Sequence, residues 1–374
     1  MKSQQVILSS DNNYESLAEY FLRNGLKRIL IVCGSSFRNF RMKGFLDELT
    51  AQGRISPVYF SEYQPNPDYD SVVKGVDLFK KCNCDSIFAI GGGSAMDVAK
   101  CIKLYSNMPE GVNYLQEVIV PNDIPFLAAP TTAGTGSEAT RYAVIYYKGE
   151  KQSVTDSSCI PQAVLFDTSM LCSLPDYQRK TTMLDAFCHS IESFWSVNST
   201  DESKEFSKMA IGLILKNIDA YLENEESANA AMLNAANLAG KAINITQTTA
   251  GHAMCYKMTK QYGISHGHAA ALCVSVLWPY MVKHTDWCLD PRGKEYLDEM
   301  FLALASAMGC TNAMAAADKF MRVFSGLNLQ NPKAVDEKEY DLLTKSVNLV
   351  RLKNNPIRLD EQTINALYRK ILEK

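Results

Sequence analysis

The stretch Asp85–Lys100, DSIFAIGGGSAMDVAK, decides the fold of the first half of the chain. Its apolar run Asp85–Ile90 predicts a buried strand, three glycines follow, and helical periodicity runs from Ser94 to about Tyr105. Glycines between a strand and a helix let the backbone approach a ligand, and free N–H groups at the helix start favour an anion such as a pyrophosphate. An ordinary tight turn is the alternative, because the spacing is not G-x-G-x-x-G.

Strands and helices alternate on both sides of this stretch. Further strands are predicted at Arg28–Cys33, Pro57–Phe60 and Phe126–Ala129, and further helices at Phe37–Thr50 and Tyr69–Lys81. Such alternation implies right-handed crossovers and a mostly parallel sheet with helices on both faces. Two more β-rich segments, Tyr142–Tyr147 and Gln152–Asp156, flank KGEK, which predicts a four-residue hairpin loop.

The pattern changes near Ser173-Leu174-Pro175, where strand signals end. Long amphipathic segments rich in good helix formers follow at Tyr177–Trp195, Asp201–Leu222, Glu225–Thr246, Asp290–Met308 and Asn312–Phe324. We therefore predict an α/β domain at residues 1–175 and an all-α domain at residues 176–374.

A second loop, Pro130–Glu138 (PTTAGTGSE), also follows a predicted strand. Its hydroxyls and glycines are suited to hydrogen bonds with phosphate, ribose or amide groups. One such loop is explained by a capped turn, but two loops after neighbouring strands favour a nucleotide-binding cleft.

All five histidines lie in the second half, and three of them combine with an aspartate. Asp185 and His189 are four residues apart on one predicted helix, so their side chains share a face. His252 and His266 follow later. A carboxylate with imidazoles suits a divalent transition metal such as Fe²⁺ or Zn²⁺. The alternative for each single histidine is a hydrogen-bonded core residue.

Composition excludes several classes of protein. Apolar residues make up 47% and charged residues 21%, as in globular domains, and the net charge of -3 gives no pull towards nucleic acid or an anionic membrane. The longest apolar stretch, Ala269–Val282, is shorter than the ~20 residues that cross a bilayer. The N-terminus lacks the apolar run of a signal peptide, and eleven scattered cysteines suit reduced thiols. We expect a cytoplasmic protein.

Taken together, these motifs resemble the iron-containing (group III) alcohol dehydrogenase family over essentially the whole chain. The matching segments, in family order, are Pro65–Pro67 (PNP), Gly91–Lys100, Pro130–Thr140, Ser173–Pro175, Asp185–Glu192 (DAFCHSIE) and His252–Ala269. The resemblance implies a dinucleotide-binding α/β domain, a helical domain of dehydroquinate synthase-like architecture, and a metal in the cleft between them.

The resemblance also implies site residues. It assigns metal ligation to Asp185, His189, His252 and His266. It assigns contact with NADPH or NADH to Asn66, Gly92, Gly93, Ser94, Asp97, Thr131, Thr132, Thr135 and Lys151.

Three positions depart from the family pattern, one of them the extra histidine His268, two residues after His266. Relatives commonly have a second histidine four residues after the third ligand, where this chain has Tyr256. We therefore predict no catalytic side chain beyond the metal ligands, with Tyr256 as the one candidate. NAD-preferring relatives often place an aspartate after the strand Arg28–Cys33 to bind the ribose 2′-hydroxyl, but this chain has Gly34. We therefore expect NADPH to be used at least as well as NADH.

Polar residues before His252 suggest the substrate. On a helix, Asn244 and Thr248 stand eight and four residues before His252 and share its face, with Lys241 one further turn away. With Arg141, these donors fit a small aldehyde that carries an anionic group. The segment also looks like that of phosphonoacetaldehyde reductases, whose product would be 2-hydroxyethylphosphonate. Solvated or helix-capping charges are the alternative.

Two rival functions remain open at this stage. One is a polyol-phosphate dehydrogenase or dehydroquinate synthase-like enzyme on the same fold, and the other is a non-catalytic nucleotide or metal sensor. The family resemblance also implies a homodimer, for which the sheet edge at Gln5–Leu8 offers a pairing surface.

Overall fold

The computed structural model describes residues 5–347 and 352–373. Within them, the first half of the chain contains eight strands: β1 (Val6–Ser9), β2 (Ile29–Cys33), β3 (Val58–Phe60), β4 (Ser86–Gly91), β5 (Phe126–Pro130), β6 (Tyr142–Tyr147), β7 (Glu150–Thr155) and β8 (Ala163–Phe166). Six of these described strands form one parallel sheet in the order β1-β8-β5-β4-β2-β3. The predicted parallel sheet is confirmed.

Four helices cover the two faces of this sheet: α1 (Asp11–Arg23), α2 (Arg41–Ala51), α3 (Tyr69–Lys81) and α4 (Gly93–Tyr105). Side chains of β2 alternate between the faces, so that Leu30 and Val32 pack with α3 and α4 while Ile29 and Ile31 pack with α1 and α2. Strands buried on both faces are expected to be apolar throughout, as β2 is.

The hairpin and one helix differ from the predictions. β6 and β7 pair antiparallel with Tyr147 opposite Glu150, so only Lys148 and Gly149 form the loop, rather than four residues. Both have positive φ, 51° and 82°, which is the type I′ geometry that matches the twist of a hairpin. The segment predicted as one helix at Phe37–Thr50 is a short 3₁₀ turn at Ser35–Asn39 followed by α2.

The second half is helical in the described residues, which confirms the predicted fold class. Its helices are α5 (Asp176–Trp195), α6 (Asp201–Leu222), α7 (Glu226–Thr246), α8 (Ala250–Tyr262), α9 (His266–Lys283), α10 (Lys294–Ala307), α11 (Ala313–Gly326), α12 (Glu337–Lys345) and α13 (Glu361–Leu372). α5 is buried along most of its length and packs against α6, α7 and α9. It is therefore the central helix of this half.

The chain divides into two compact units. One comprises Met1–Thr132 and Gly136–Leu174, and the other comprises Ala133–Thr135 and Pro175–Lys374. The short segment Ala133–Thr135 thus belongs with the helical unit. None of the helices in the described ranges combines the length and the apolar character needed to span a bilayer.

Candidate functional site

The helical unit brings the predicted metal ligands together. Asp185 and His189 lie one turn apart on α5, and His252 lies in the first turn of α8. All three are at most 5% exposed, and each offers one ligand atom within 4.8 Å of the others. His266 begins α9, is partly exposed and lies beside this cluster rather than within it.

The distances and the unsatisfied atoms fit a divalent cation. Two ligands bonded tetrahedrally at ~2.1 Å lie about 3.4 Å apart. Oδ1 of Asp185 is 3.5 Å from Nε2 of His252 and 3.9 Å from Nε2 of His266. Oδ1 of Asp185, Nδ1 of His189 and Nε2 of His252 are buried without a hydrogen-bond partner among the described residues. Buried polar atoms normally have partners, so these three atoms fit the ligands of a metal ion.

The charges at this cluster lead to the same conclusion. Burial raises the pKa of Asp185, but the neighbouring imidazoles outweigh it and hold the pKa well below its ordinary value. Burial lowers the pKa of His189 to about 4, so its ring is neutral. Burial also lowers the pKa of His252, but Glu192 and Asp185 outweigh this effect and raise it to about 9. Two buried carboxylates therefore face one imidazolium, and the excess negative charge favours a cation.

Two glycines allow the backbone to approach α5 closely. A Cβ on Gly267 would lie 1.9 Å from the carbonyl oxygen of Thr181 and 2.8 Å from Cβ of Asp185. A Cβ on Gly134 would lie 2.7 Å from Thr182. Only glycine permits such contacts. Gly267 therefore lets the start of α9, with His266, pack directly against the turn of α5 that carries Asp185.

The helical face predicted before His252 is wrong. α7 ends at Thr246, and Gln247 adopts φ 59° and ψ 178° before α8 begins at Ala250. Asn354 stabilises this break by donating from Nδ2 to Oε1 of Gln247 at 3.2 Å and to the Thr248 carbonyl at 3.1 Å. Thr248 is buried in the linker, so it does not continue the helix of His252.

The other predicted substrate and catalytic residues occupy different elements. Lys241 is half-buried on α7, and Arg141 precedes β6 with its guanidinium over the ring of Tyr142, 5.1 Å from the ring centroid. Tyr256 lies on α8, and its ring stacks on His266 with centroids 5.6 Å apart. The aromatic ring of Tyr256 thus covers one face of a predicted metal ligand.

The α/β unit brings the two predicted cofactor loops side by side. Thr131 donates its backbone N–H to the Gly91 carbonyl at 3.1 Å, and a Cβ on Gly92 would contact Thr132 at 3.4 Å. The loops follow the adjacent parallel strands β4 and β5, and Gly93 and Ser94 open α4. From β2 the chain continues to its neighbour β3 on one side of the sheet, and from β4 it continues to its neighbour β5 on the other side. This switch point, with Gly34 after β2, is where open α/β sheets bind ligands.

Asp97 lies behind these loops in a hydrogen-bonded network. Its Oδ1 accepts from Oγ of Ser137 at 3.1 Å, and the buried ammonium of Lys100 donates to Ser137 at 3.0 Å and to Thr140 at 3.0 Å. Burial raises the pKa of Asp97 to about 6, and the charges of Lys100 and Lys151 oppose that rise. The network ties α4 to the second loop.

The remaining predicted cofactor residues are spread over the two units. Asn66 is exposed in a left-handed conformation with φ 58°, and Lys151 is exposed on β7. Gly34 has room for a side chain, because nothing lies within 4 Å of a Cβ there. Thr135 belongs to the short segment that groups with the helical unit.

The sequence reasoning missed one functional candidate, Glu192. This residue is fully buried on α5 and contacts Nδ1 of His252 through Oε2. It follows Asp185 by seven residues and His189 by three, a spacing that places all three side chains on one helical face. That periodicity was the available signal.

Comparison with known proteins agrees with this arrangement. Residues 4–168 match iron-containing alcohol dehydrogenase, and residues 180–372 match the C-terminal region of the Fe-containing alcohol dehydrogenase family. Phosphonoacetaldehyde reductase of Streptomyces viridochromogenes is 31% identical over 313 residues, which cover 80% of this chain and 79% of that protein. NAD-dependent methanol dehydrogenase of Bacillus methanolicus is 29% identical over 335 residues, 86% of each protein.

A solved structure shares the fold. The iron-containing alcohol dehydrogenase of Thermotoga maritima is 27% identical, with a TM-score of 0.80 over 99% of this chain and 98% of that one. The two family matches together span most of the sequence, including every predicted metal ligand. The chain therefore belongs to the iron-containing alcohol dehydrogenase family and is an oxidoreductase of that type.

Proposed function

We propose that this dehydrogenase uses NADPH or NADH to reduce a small aldehyde to its alcohol at a single divalent metal, Fe²⁺ or Zn²⁺. The observation that carries the proposal is the buried cluster Asp185, His189 and His252, in which each residue has a polar atom without a partner among the described residues. When bound, the metal supplies a Lewis acid for the carbonyl oxygen of the aldehyde.

The four predicted ligands hold the metal in this proposal. Asp185 provides the charged oxygen, and His189, His252 and His266 provide nitrogen. His252→Ala in the apoprotein should abolish tight binding of Co²⁺ or Zn²⁺, while the unfolding of the α/β unit stays unchanged. A variant that binds the metal as tightly as the wild type would show that His252 is not a ligand. Tyr256 is the one candidate for a further catalytic side chain, because its ring stacks on His266.

In this proposal the predicted α/β domain (residues 1–175) binds the dinucleotide, and the predicted helical domain (residues 176–374) provides the metal site. The backbone of Gly92, Gly93 and Ser94 at the start of α4 is suited to the pyrophosphate. The other proposed contacts are Asn66, Asp97, Thr131, Thr132, Thr135 and Lys151.

Gly34 leads us to propose that NADPH is used at least as well as NADH. An aspartate there would repel the 2′-phosphate, and glycine removes that charge. Gly34→Asp should shift the ratio of kcat/KM for the two cofactors towards NADH, since the position has room for the side chain. Strong preference of the wild-type enzyme for NADH would contradict this assignment.

We propose an anionic aldehyde, such as phosphonoacetaldehyde, as the substrate, giving 2-hydroxyethylphosphonate. The 31% identity to a phosphonoacetaldehyde reductase supports this, and Arg141 and Lys241 are the candidate donors. Replacing Arg141 or Lys241 separately by Met should raise KM for phosphonoacetaldehyde and leave KM for propanal unchanged. Equal kcat/KM of the wild-type enzyme for both aldehydes would exclude anion recognition, and cofactor binding without any turnover would indicate a sensor.

We also propose a cytoplasmic homodimer. Val6 and Ile7 of β1 are 45% and 49% exposed at the edge of the sheet, where a second copy has backbone groups with which to pair. None of the eleven cysteines, all of which lie within the described residues, forms a disulfide, as expected in a reducing compartment. Light scattering that gives the mass of one chain would exclude the dimer.

A further inference from the structure

Glu192 is a fully buried carboxylate beside the predicted metal ligand His252. Its Oε2 contacts Nδ1 of His252, and its Oε1 accepts from the His252 backbone N–H at 3.2 Å. Burying a carboxylate is costly unless its oxygens are hydrogen-bonded. Here both oxygens have donors, and both bind the same residue.

The contact between Glu192 and His252 determines which ring nitrogen faces the other ligands. An ionised carboxylate only accepts hydrogen bonds, so Nδ1 carries a proton. When the second proton leaves Nε2, as metal binding requires, the neutral imidazole presents its lone pair there. That atom is buried without a hydrogen-bond partner among the described residues and lies 3.5 Å from Oδ1 of Asp185.

Glu192 accepts the last hydrogen bond of a chain in which each group donates towards its carboxylate. Nε1 of Trp195 donates to Oγ1 of Thr249 at 2.9 Å, and Thr249 donates to Oε1 of Glu192 at 2.8 Å. An indole N–H can only donate, so the hydroxyl proton of Thr249 is left for Glu192. A Cβ on Gly251 would lie 2.4 Å from Oε1, so glycine is needed to admit the carboxylate.

We infer that Glu192 is a positioning residue that fixes the ring and the tautomer of His252 so that Nε2 is the metal-binding atom. The inference rests on the proposed function, because it requires a metal at Asp185, His189 and His252. Glu192 acts through His252 and does not itself touch the metal or the substrate.

Substitution by glutamine separates this role from simple packing. If the amide nitrogen of the introduced glutamine replaced Oε2, it would face Nδ1 of His252 and favour the tautomer with the proton on Nε2. If the amide nitrogen replaced Oε1, it would face the His252 backbone N–H. The first orientation puts the proton on the nitrogen that should bind the metal, and the second sets two donors against each other. Glu192→Gln should therefore weaken metal binding, although the side-chain volume is almost unchanged.

The experiment measures the affinity of the full-length apoprotein for Co²⁺ and Zn²⁺ by competition with a chelator. Glu192→Gln should bind about 10–100-fold more weakly. Glu192→Asp should recover part of that loss because it restores an acceptor-only carboxylate. Ser190→Ala is the matched control, since its buried hydroxyl donates to the Ala186 carbonyl on the same helix and forms no hydrogen bond with a predicted ligand among the described residues. We expect its metal affinity to stay within twofold of the wild type.

Each outcome has a distinct meaning. Wild-type protein that binds neither ion refutes the proposed metal site. Wild-type protein that binds, with Glu192→Gln equally tight, refutes only the role of Glu192. Should the variant fail to fold, a crystal structure of the zinc-loaded wild-type chain decides. The metal must lie about 2.1 Å from Nε2 of His252, and ligation through Nδ1 or by Glu192 itself overturns the inference.

Discussion

Gly267→Ala tests whether the close packing of α9 on α5 builds the metal site. The added methyl group would lie 1.9 Å from the Thr181 carbonyl oxygen, and ordinary contact begins near 3.4 Å. Relief of this overlap of about 1.5 Å requires the start of α9 to move away from α5. Because the obstacle is backbone, no side-chain rotation can absorb it.

The size of the effect follows from this displacement. Overpacking of this kind costs about 1–3 kcal/mol, which for a unit of this size lowers Tm by about 5 °C. His266 precedes the substituted residue, and its Nε2 is 3.9 Å from Oδ1 of Asp185. A movement of about 1 Å is large beside ligand bonds of ~2.1 Å, so affinity for Zn²⁺ should fall at least tenfold.

The assay combines thermal unfolding of the apoprotein with zinc titration against a chelator. Gly212→Ala is the matched control, because this glycine lies inside α6 with nothing within 4 Å of a Cβ. Alanine should stabilise that helix by up to about 1 kcal/mol and leave zinc affinity unchanged. If Gly267→Ala keeps both the stability and the zinc affinity of the wild type, the packing argument is refuted.

Three further predictions concern other parts of the chain. Burial raises the pKa of Asp97 to about 6, so the folded state binds more protons than the unfolded state between about pH 4 and pH 6, and stability is lost as pH rises through that window. Asp97→Asn should therefore be more stabilising at pH 8 than at pH 4, by up to about 3 kcal/mol, and a constant difference in urea unfolding across pH would refute this. Gly149→Ala places a side chain at φ 82° and should cost about 1 kcal/mol, whereas unchanged stability would contradict the type I′ loop. Zinc at 100 times its Kd should stabilise the apoprotein by about 2.7 kcal/mol, and His252→Ala should show no such shift in Tm.

Local periodicity determined much of the fold from the sequence. The bounds predicted for α3 and α6 agree with the structure, because long amphipathic stretches in these helices have clear polar boundaries. The pairing of Asp185 with His189 needed only the helical repeat, since residues four apart share a face. Family-like spacing then added His252 and His266, which no local rule connects to them.

Tertiary contacts decided the rest. The end of α7 depends on Asn354, which lies 106 residues beyond Thr248 and holds the break through its side-chain amide. The predicted segment Glu225–Thr246 ends at the same residue as α7, but helical spacing gave no reason for Thr248 to leave the face of His252, so its predicted position is wrong. The role of Glu192 likewise depends on Thr249, which precedes α8 and donates to Glu192, and on Trp195 of α5, which donates to Thr249. Hydrophobic periodicity and turn propensities depend on residues close together in the sequence. The hydrogen bonds of buried side chains join residues far apart in the sequence, and they form only when the helices pack.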